Sequence, residues 1–207
     1  TNIAEKDFIK NSTSGSSGDS LNFYSYRKNT YTTATVFRGD MLSGWSYGQK
    51  CIILWGALRD IKMPLNIFQR ISKILIHKYK YISSFSLSDL SISNYIKIIT
   101  DYRPNLLIGY PTGLYLLGNF MLNHNIKLTT IKSIISAGET LHDFQREVIE
   151  KAFGQKIFNR YGCREVRQIA SECIAHNGMH ISADHVIVEV INEKGEPTKN
   201  GEIGEIV

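Results

Sequence analysis

The sequence predicts an α/β protein with a parallel βαβ sheet followed by a small β subdomain, and three observations carry that reading. From about residue 50 to residue 160, short apolar runs alternate with longer stretches of helical period, the pattern of strands joined by helical crossovers. After Cys163 the text changes to two-residue alternation without helices, the pattern of short antiparallel strands. The chain has 207 residues, 43% hydrophobic and 21% charged, which is an ordinary globular composition and long enough to bury a core without staples. Collagen-like, disordered and disulfide-scaffold classes are excluded on that basis.

Cys51 to Trp55 reads as the first strand of the repeat. Pro64 then opens a helical stretch with Ile67, Ile71, Ile74, Leu75 and Ile76 recurring at helical spacing, before Ser83 to Ser86 resumes as a strand. Ser88 is a good N-cap for a helix over Leu90 to Thr100, because its hydroxyl can accept from an orphan N–H of the first turn. Asn105 to Gly109 is the next strand, and Pro111, which has no N–H to lose, starts a helix running to Asn123. Ile131 to Ser136 follows as a strand. The last helix, from about His142 to Phe153, places Phe144, Val148, Ile149 and Ala152 on one face, and Gly154 ends it before strand Lys156 to Asn159. These make four crossovers. Met179 to Ser182 and His185 to Ile191 alternate as strands, with Asn192 to Gly195 as a turn. The division drawn from this is an α/β core over 1–165 and the start of a β subdomain over 166–207.

Thr1 is not an initiator Met, and Gly201-Glu-Ile-Gly-Glu-Ile-Val207 has strand composition with no turn to close it, so the sequence predicts a fragment. Net charge is +5, with 14 Lys and Arg against 7 acids in residues 1–110 and 10 against 12 in the rest. A basic half suits a nucleotide phosphate, a membrane surface or a nucleic acid equally, and scattered solvated lysines as well. Three cysteines, Cys51, Cys163 and Cys173, are too few for a secreted disulfide framework and point to the cytoplasm. The longest apolar run is far shorter than the roughly 18 residues of a membrane span, and no signal peptide is visible.

The segment Asn11 to Ser20 is dominated by Gly, Ser and Thr. That composition serves a flexible linker, or a phosphate cradle in which backbone N–H groups and hydroxyls converge on an anion. It is neither a Walker A loop, since Asp19 follows Gly18 where Lys is needed, nor a Rossmann Gly-x-Gly-x-x-Gly. P-loop and NAD-dependent classes are disfavoured accordingly.

Ser12-Thr-Ser-Gly-Ser-Ser-Gly18 resembles the phosphate loop of adenylate-forming enzymes. Three further segments match in the same order: Ser136-Ala-Gly-Glu139, Asn159-Arg-Tyr-Gly-Cys-Arg-Glu165 and Gly201 to Val207. With Gly44-Trp-Ser-Tyr-Gly48 and Gly109-Tyr-Pro111 between them, the whole chain is similar to the phenylacetate-CoA ligase branch, and within it to proteins associated with capsular polysaccharide synthesis. The resemblance implies the large N-terminal domain of that superfamily, with a ribose-binding aspartate and a catalytic-lysine domain lying beyond Val207. It implies a ligase that joins a carboxylate to ATP as acyl-AMP, releases pyrophosphate and passes the acyl group on, commonly to CoA.

Residue by residue, the resemblance assigns Thr13, Ser14, Gly15, Ser16, Ser17 and Gly18 to the ATP phosphates, with Ser20 standing where the family usually has Pro. Ala137, Gly138 and Glu139 fall in the turn that lines the adenine and acyl side, Tyr161 with Gly162 beside adenine, and Glu165 on Mg²⁺. Arg164 adds a fixed charge beside the α-phosphate and is grouped with Glu165 as catalytic. Tyr110, Pro111 and Ser136 wall the carboxylate pocket. Each has a plain alternative: core packing for Tyr110 and Tyr161, a solvated carboxylate for Glu165, a ligand-free turn for Ser136 to Glu139. In a doubly wound sheet these segments converge outside the carboxyl ends of the strands.

Cys163, Cys173, His176 and His180 have spacing compatible with zinc, but a closed site needs all four brought together, and zinc is not counted among the expected cofactors. ATP, Mg²⁺ and CoA are. The expected partner is a small-molecule carboxylate, with no nucleic acid, no transmembrane segment and no readable oligomeric state. The rival reading is a noncatalytic nucleotide-binding or scaffold protein that keeps the fold.

Overall fold

The computed structural model describes residues 7–12, 21–26, 30–56, 78–83 and 88–207. The expected helix opened by Pro64 and the expected strand residues after Ser83 lie outside these. The first described elements are the strands β1 (Phe8–Ser12) and β2 (Asn22–Tyr26), a hairpin paired antiparallel with Ser12 opposite Asn22. Helix α1 (Thr30–Met41) follows, and then the main sheet, whose strands are β3 (Cys51–Trp55), β4 (Tyr79–Ser83), β5 (Leu106–Gly109), β6 (Ser133–Ala137), β7 (Ile157–Cys163), β8 (Arg167–Glu172) and β9 (Met179–Ile181). Their spatial order is β4-β3-β5-β6-β7-β8-β9. The first five run parallel, joined after β4 by α2 (Asp89–Tyr102), α3 (Pro111–Asn123) and α4 (Asp143–Phe153). Beyond residue 165 the sheet continues, because β8 and β9 add to its edge antiparallel. A separate two-stranded sheet pairs β10 (Val190–Ile191) with β11 (Glu205–Ile206).

Side-chain alternation along the strands divides the core in two. Ile52 and Leu54, Leu107, Ile134 and Ile157 pack under α2, α3 and α4, whose buried residues include Ile92, Ile96, Ile99, Leu114, Leu117, Met121 and Ile149. Cys51, Leu106, Ile108, Ile135 and Phe158 point to the other face and pack with Trp45 and Phe37. Both faces of the parallel strands are thus covered, which is why these strands read as unbroken apolar runs. Ser88 caps α2, accepting from Ser91 N–H, and Pro111 opens α3.

Strand β4 begins before the expected strand, at Tyr79, and lies in register with Cys51–Trp55. Two expectations are corrected. The strand expected over His185 to Ile191 is a turn followed by the short β10. On α4, Phe144 is exposed and stands edge-on to Tyr115, while Gln145 occupies the buried face and accepts from the His142 N–H at 3.1 Å. No helix among the described residues is long and apolar enough to cross a membrane.

Candidate functional site

One rung of the sheet runs Leu54, Gly109, Ser136, Asn159 across β3, β5, β6 and β7. Trp55, Tyr110, Gly138 and Tyr161 stand one or two residues beyond it, toward the carboxyl ends of these four strands; Tyr110 and Gly138 have left the sheet, whereas Trp55 is still paired with Ser83 and Tyr161 with Ala170. Trp55 and Tyr110 stack with ring centroids 4.4 Å apart and planes at 21°. Gly138 follows β6 at φ +84°, a left-handed conformation that favours glycine, and a Cβ built there would meet the Tyr110 ring edge at 2.6 Å. Bare backbone at Gly138 thus lies directly against that aromatic pair. Ala137 and Pro111 are buried, as is Ser136, whose hydroxyl is 3.3 Å from Asn159 Oδ1.

Glu139 has a specific partner. Its Oε2 accepts from the Thr112 hydroxyl at 2.7 Å and the Thr112 N–H at 3.3 Å, which places a carboxylate on the N-terminal turn of α3. Negative charge is favoured there by the unpaired N–H groups and the helix dipole. The contact clasps the turn after β6 to the turn after β5, so the Tyr110–Pro111 wall and Gly138 are held by one side chain.

Strand β7 changes register between Tyr161 and Gly162. A Cβ at Gly162 would run into the Arg167 carbonyl oxygen, so the turn into β8 closes this tightly only on glycine. Tyr161 is 43% exposed at the bulge. Arg164 and Glu165 occupy the turn that follows, Arg164 exposed and Glu165 half-buried. The Cys163 thiol hydrogen-bonds Glu165, and partial burial together with that carboxylate pushes it above its ordinary pKa.

Below the bulge β7 is pinned on both faces. Glu172 on β8 accepts from the Asn159 N–H at 2.7 Å and from Arg146 of α4 at 2.8 Å, and Arg146 also reaches the Ile157 carbonyl. On the other face Arg160 donates to Asp40 of α1 at 2.7 Å. Asp40 is 2% exposed; burial pushes its pKa up and Arg160 opposes the shift. Sequence reasoning assigned neither Asp40, Arg146 nor Glu172 a role, and it missed Trp55 and Thr112 as parts of the wall.

The loop residues Thr13, Ser14, Gly15, Ser16, Ser17 and Gly18 lie outside the described residues; β1 and β2 are the paired strands on either side of that segment. Among the described residues no three His, Cys, Asp or Glu side chains converge as metal ligands. The four zinc candidates are not gathered as a ligand set: His176 packs on Phe158 at 4.6 Å near Glu172, His180 is exposed on β9, and Cys163 is the last residue of β7.

No family model matches the chain. It is 32% identical over 164 residues to the protein CapK of Staphylococcus aureus, a match that takes in 76% of this chain and 35% of CapK. It is 31% identical over 116 residues to an uncharacterised acyl-CoA ligase, YtcI, of Bacillus subtilis strain 168, covering 54% of this chain and 22% of that protein. Among solved structures it matches an open form of 2-hydroxyisobutyryl-CoA ligase in complex with 2-HIB-AMP and CoA, with TM-score 0.73 and 14% identity over 99% of this chain and 48% of that one. That likeness shows the fold. The chain spans about a third of CapK and about half of the ligase structure.

Proposed function

Because the chain belongs to the adenylate-forming superfamily, as a relative of CapK, we propose that it forms the nucleotide-binding part of an ATP-dependent carboxylate ligase. The observation that supports this most is the convergence of Trp55, Tyr110, Gly138 and Tyr161 at one end of four neighbouring strands, with backbone uncovered at Gly138. A purine needs a flat apolar surface and close approach to backbone amides, and this end of the sheet offers both.

In the proposed reaction a substrate carboxylate oxygen attacks the α-phosphorus of ATP. The bond to the β-phosphate oxygen breaks, pyrophosphate leaves, and a thiol such as that of CoA then attacks the acyl carbon as AMP departs. The chain's own contribution is positioning. Tyr161 and Gly162 flank adenine with Ala137 and Gly138, Tyr110, Pro111 and Ser136 bound the acid, Thr13 to Gly18 hold the outer phosphates, and Arg164 offsets negative charge at the α-phosphate. The half-buried carboxylate of Glu165 is a fitting donor for Mg²⁺, which takes one or two protein carboxylates and fills its remaining positions with water and phosphate oxygens. Bound there, the ion would neutralise phosphate charge. A role in capsule or other polysaccharide synthesis, and a cytoplasmic location consistent with three free cysteines, belong to the same proposal.

The test is carboxylate-dependent exchange of labelled pyrophosphate into ATP by the full-length protein, over a panel of acids. At least one acid stimulates exchange, and Glu165→Gln lowers it at least a hundredfold without loss of fold, on the order of one oxyanion-stabilising interaction. If no acid stimulates exchange while MgATP still binds, the noncatalytic reading replaces this one.

A further inference from the structure

The Asp40–Arg160 pair is the most deeply buried ion pair among the described residues, with side chains 3% and 17% exposed. It joins positions 120 apart in sequence, and by alternation with Phe158 it lies on the face of the sheet whose core is Trp45, Cys51, Leu106, Ile108 and Ile135. Such pairs contribute little net stability, because desolvating both charges consumes most of their attraction; apolar side chains of the same volume commonly do as well. Stability is therefore a poor account of a charged pair at this place, and its location gives a better one.

Arg160 stands on the last rung at which β7 is held from both sides, opposite Ala137 of β6 and Ser171 of β8. The next step is the register shift at Tyr161 and Gly162, where the strand bends away into the turn carrying Glu165. How a strand leaves a sheet at a bulge depends on how its last regular residue is anchored. Here the anchor is a single charge-assisted hydrogen bond of 2.7 Å to a helix on the opposite side of the sheet from α2, α3 and α4. Helix α1 begins four residues after β2, so the same helix is tied by short chain to the hairpin that bounds the Gly-Ser segment.

We propose that Asp40 is a positioning residue for nucleotide binding: through Arg160 it sets the direction in which β7 leaves the sheet, and hence where Tyr161 and Glu165 stand. This rests on the reading of those two residues as nucleotide and metal contacts. Asp40 touches no substrate; its effect passes entirely through Arg160.

The experiment titrates the full-length protein with MgATP by calorimetry and records the thermal midpoint of each variant. In the double variant Asp40→Leu/Arg160→Met the charges are gone and the volume is kept, so the midpoint stays within about 3 °C of wild type while the Kd for MgATP rises at least tenfold. Asp40→Asn keeps the shape and a neutral acceptor for Arg160 and weakens binding about threefold to tenfold. If the double variant fails to fold, Asp40→Asn decides alone. Binding undiminished in the folded variants overturns the proposal and leaves the nucleotide reading standing. A wild-type protein that binds no MgATP overturns the nucleotide reading, and the proposal with it.

Discussion

Replacing Gly138 by Ala tests the aromatic wall at its tightest point. Two separable costs apply. At φ +84° an L-residue is in the left-handed region, which costs roughly 1–2 kcal/mol. The new methyl would also stand 2.6 Å and 3.0 Å from two atoms of the Tyr110 ring, and that ring cannot swing aside without giving up its stack on Trp55; overpacking of this kind costs about 1–3 kcal/mol. The single substitution should therefore destabilise by about 2–5 kcal/mol. In a Tyr110→Ala background only the backbone cost remains, because the ring edge is gone. Urea unfolding of the four proteins of this cycle, in the polypeptide that carries the chain, should return a coupling of about 1 kcal/mol or more between the two sites. Equal cost of Gly138→Ala in both backgrounds would show that the methyl never meets Tyr110, and the account of the wall would fail.

Asp40→Ala should destabilise by about 3 kcal/mol or more, since Arg160 is left charged and largely buried without its partner; a loss under about 1 kcal/mol in denaturant unfolding contradicts the burial argument. Thr112→Val removes the hydroxyl donor to Glu139 and should cost about 1 kcal/mol, readable as a lowered thermal midpoint that Glu139→Ala shares rather than adds to. The hydrogen bonds from the Arg38 guanidinium, and then that from Tyr31, hold the Asp184 carboxyl down at about 2. With the folded value below the unfolded one, the α1 clamp on the 182–185 turn contributes fully above about pH 4 and is lost as pH falls through about 2. A carboxyl titration by NMR should find that low midpoint and find it restored to the ordinary range by Arg38→Ala; an ordinary midpoint in the wild type refutes the clamp.

The parallel sheet was legible because its strands are buried on both faces. Cys51–Trp55 and Leu106–Gly109 are apolar almost throughout, and Ser88, which follows β4, and Pro111, which follows β5, mark the starts of α2 and α3. Helix α1 was not legible for the opposite reason. Its buried face is Thr32, Thr35, Gly39 and Asp40, a helical spacing written in small and polar residues, and a search for apolar periodicity passes over it. Phe144 misled in the same way from the other side. Being apolar at the right spacing placed it on the inner face of α4, whereas the capping contact of Gln145 with His142 occupies that face and turns Phe144 outward.

The turns at the carboxyl end of the sheet were legible where the backbone needs a residue without a side chain and illegible where they need a support. Gly138 and Gly162 stand out in the text because nothing else fits their backbone, and both reappear at the close approaches that the turn after β6 and the bulge in β7 require. Trp55, Thr112, Asp40 and Glu172 carry no such mark. Each is an ordinary residue at an ordinary position whose role exists only through a partner distant in sequence: Tyr110, Glu139, Arg160 and Asn159. A one-dimensional reading can find the residues that a ligand demands, since their chemistry or their lack of a side chain is local. The residues that hold those in place are defined by pairing across the sheet, and it is at this second layer that Asp40→Asn and Thr112→Val should alter the site without altering any group a ligand touches.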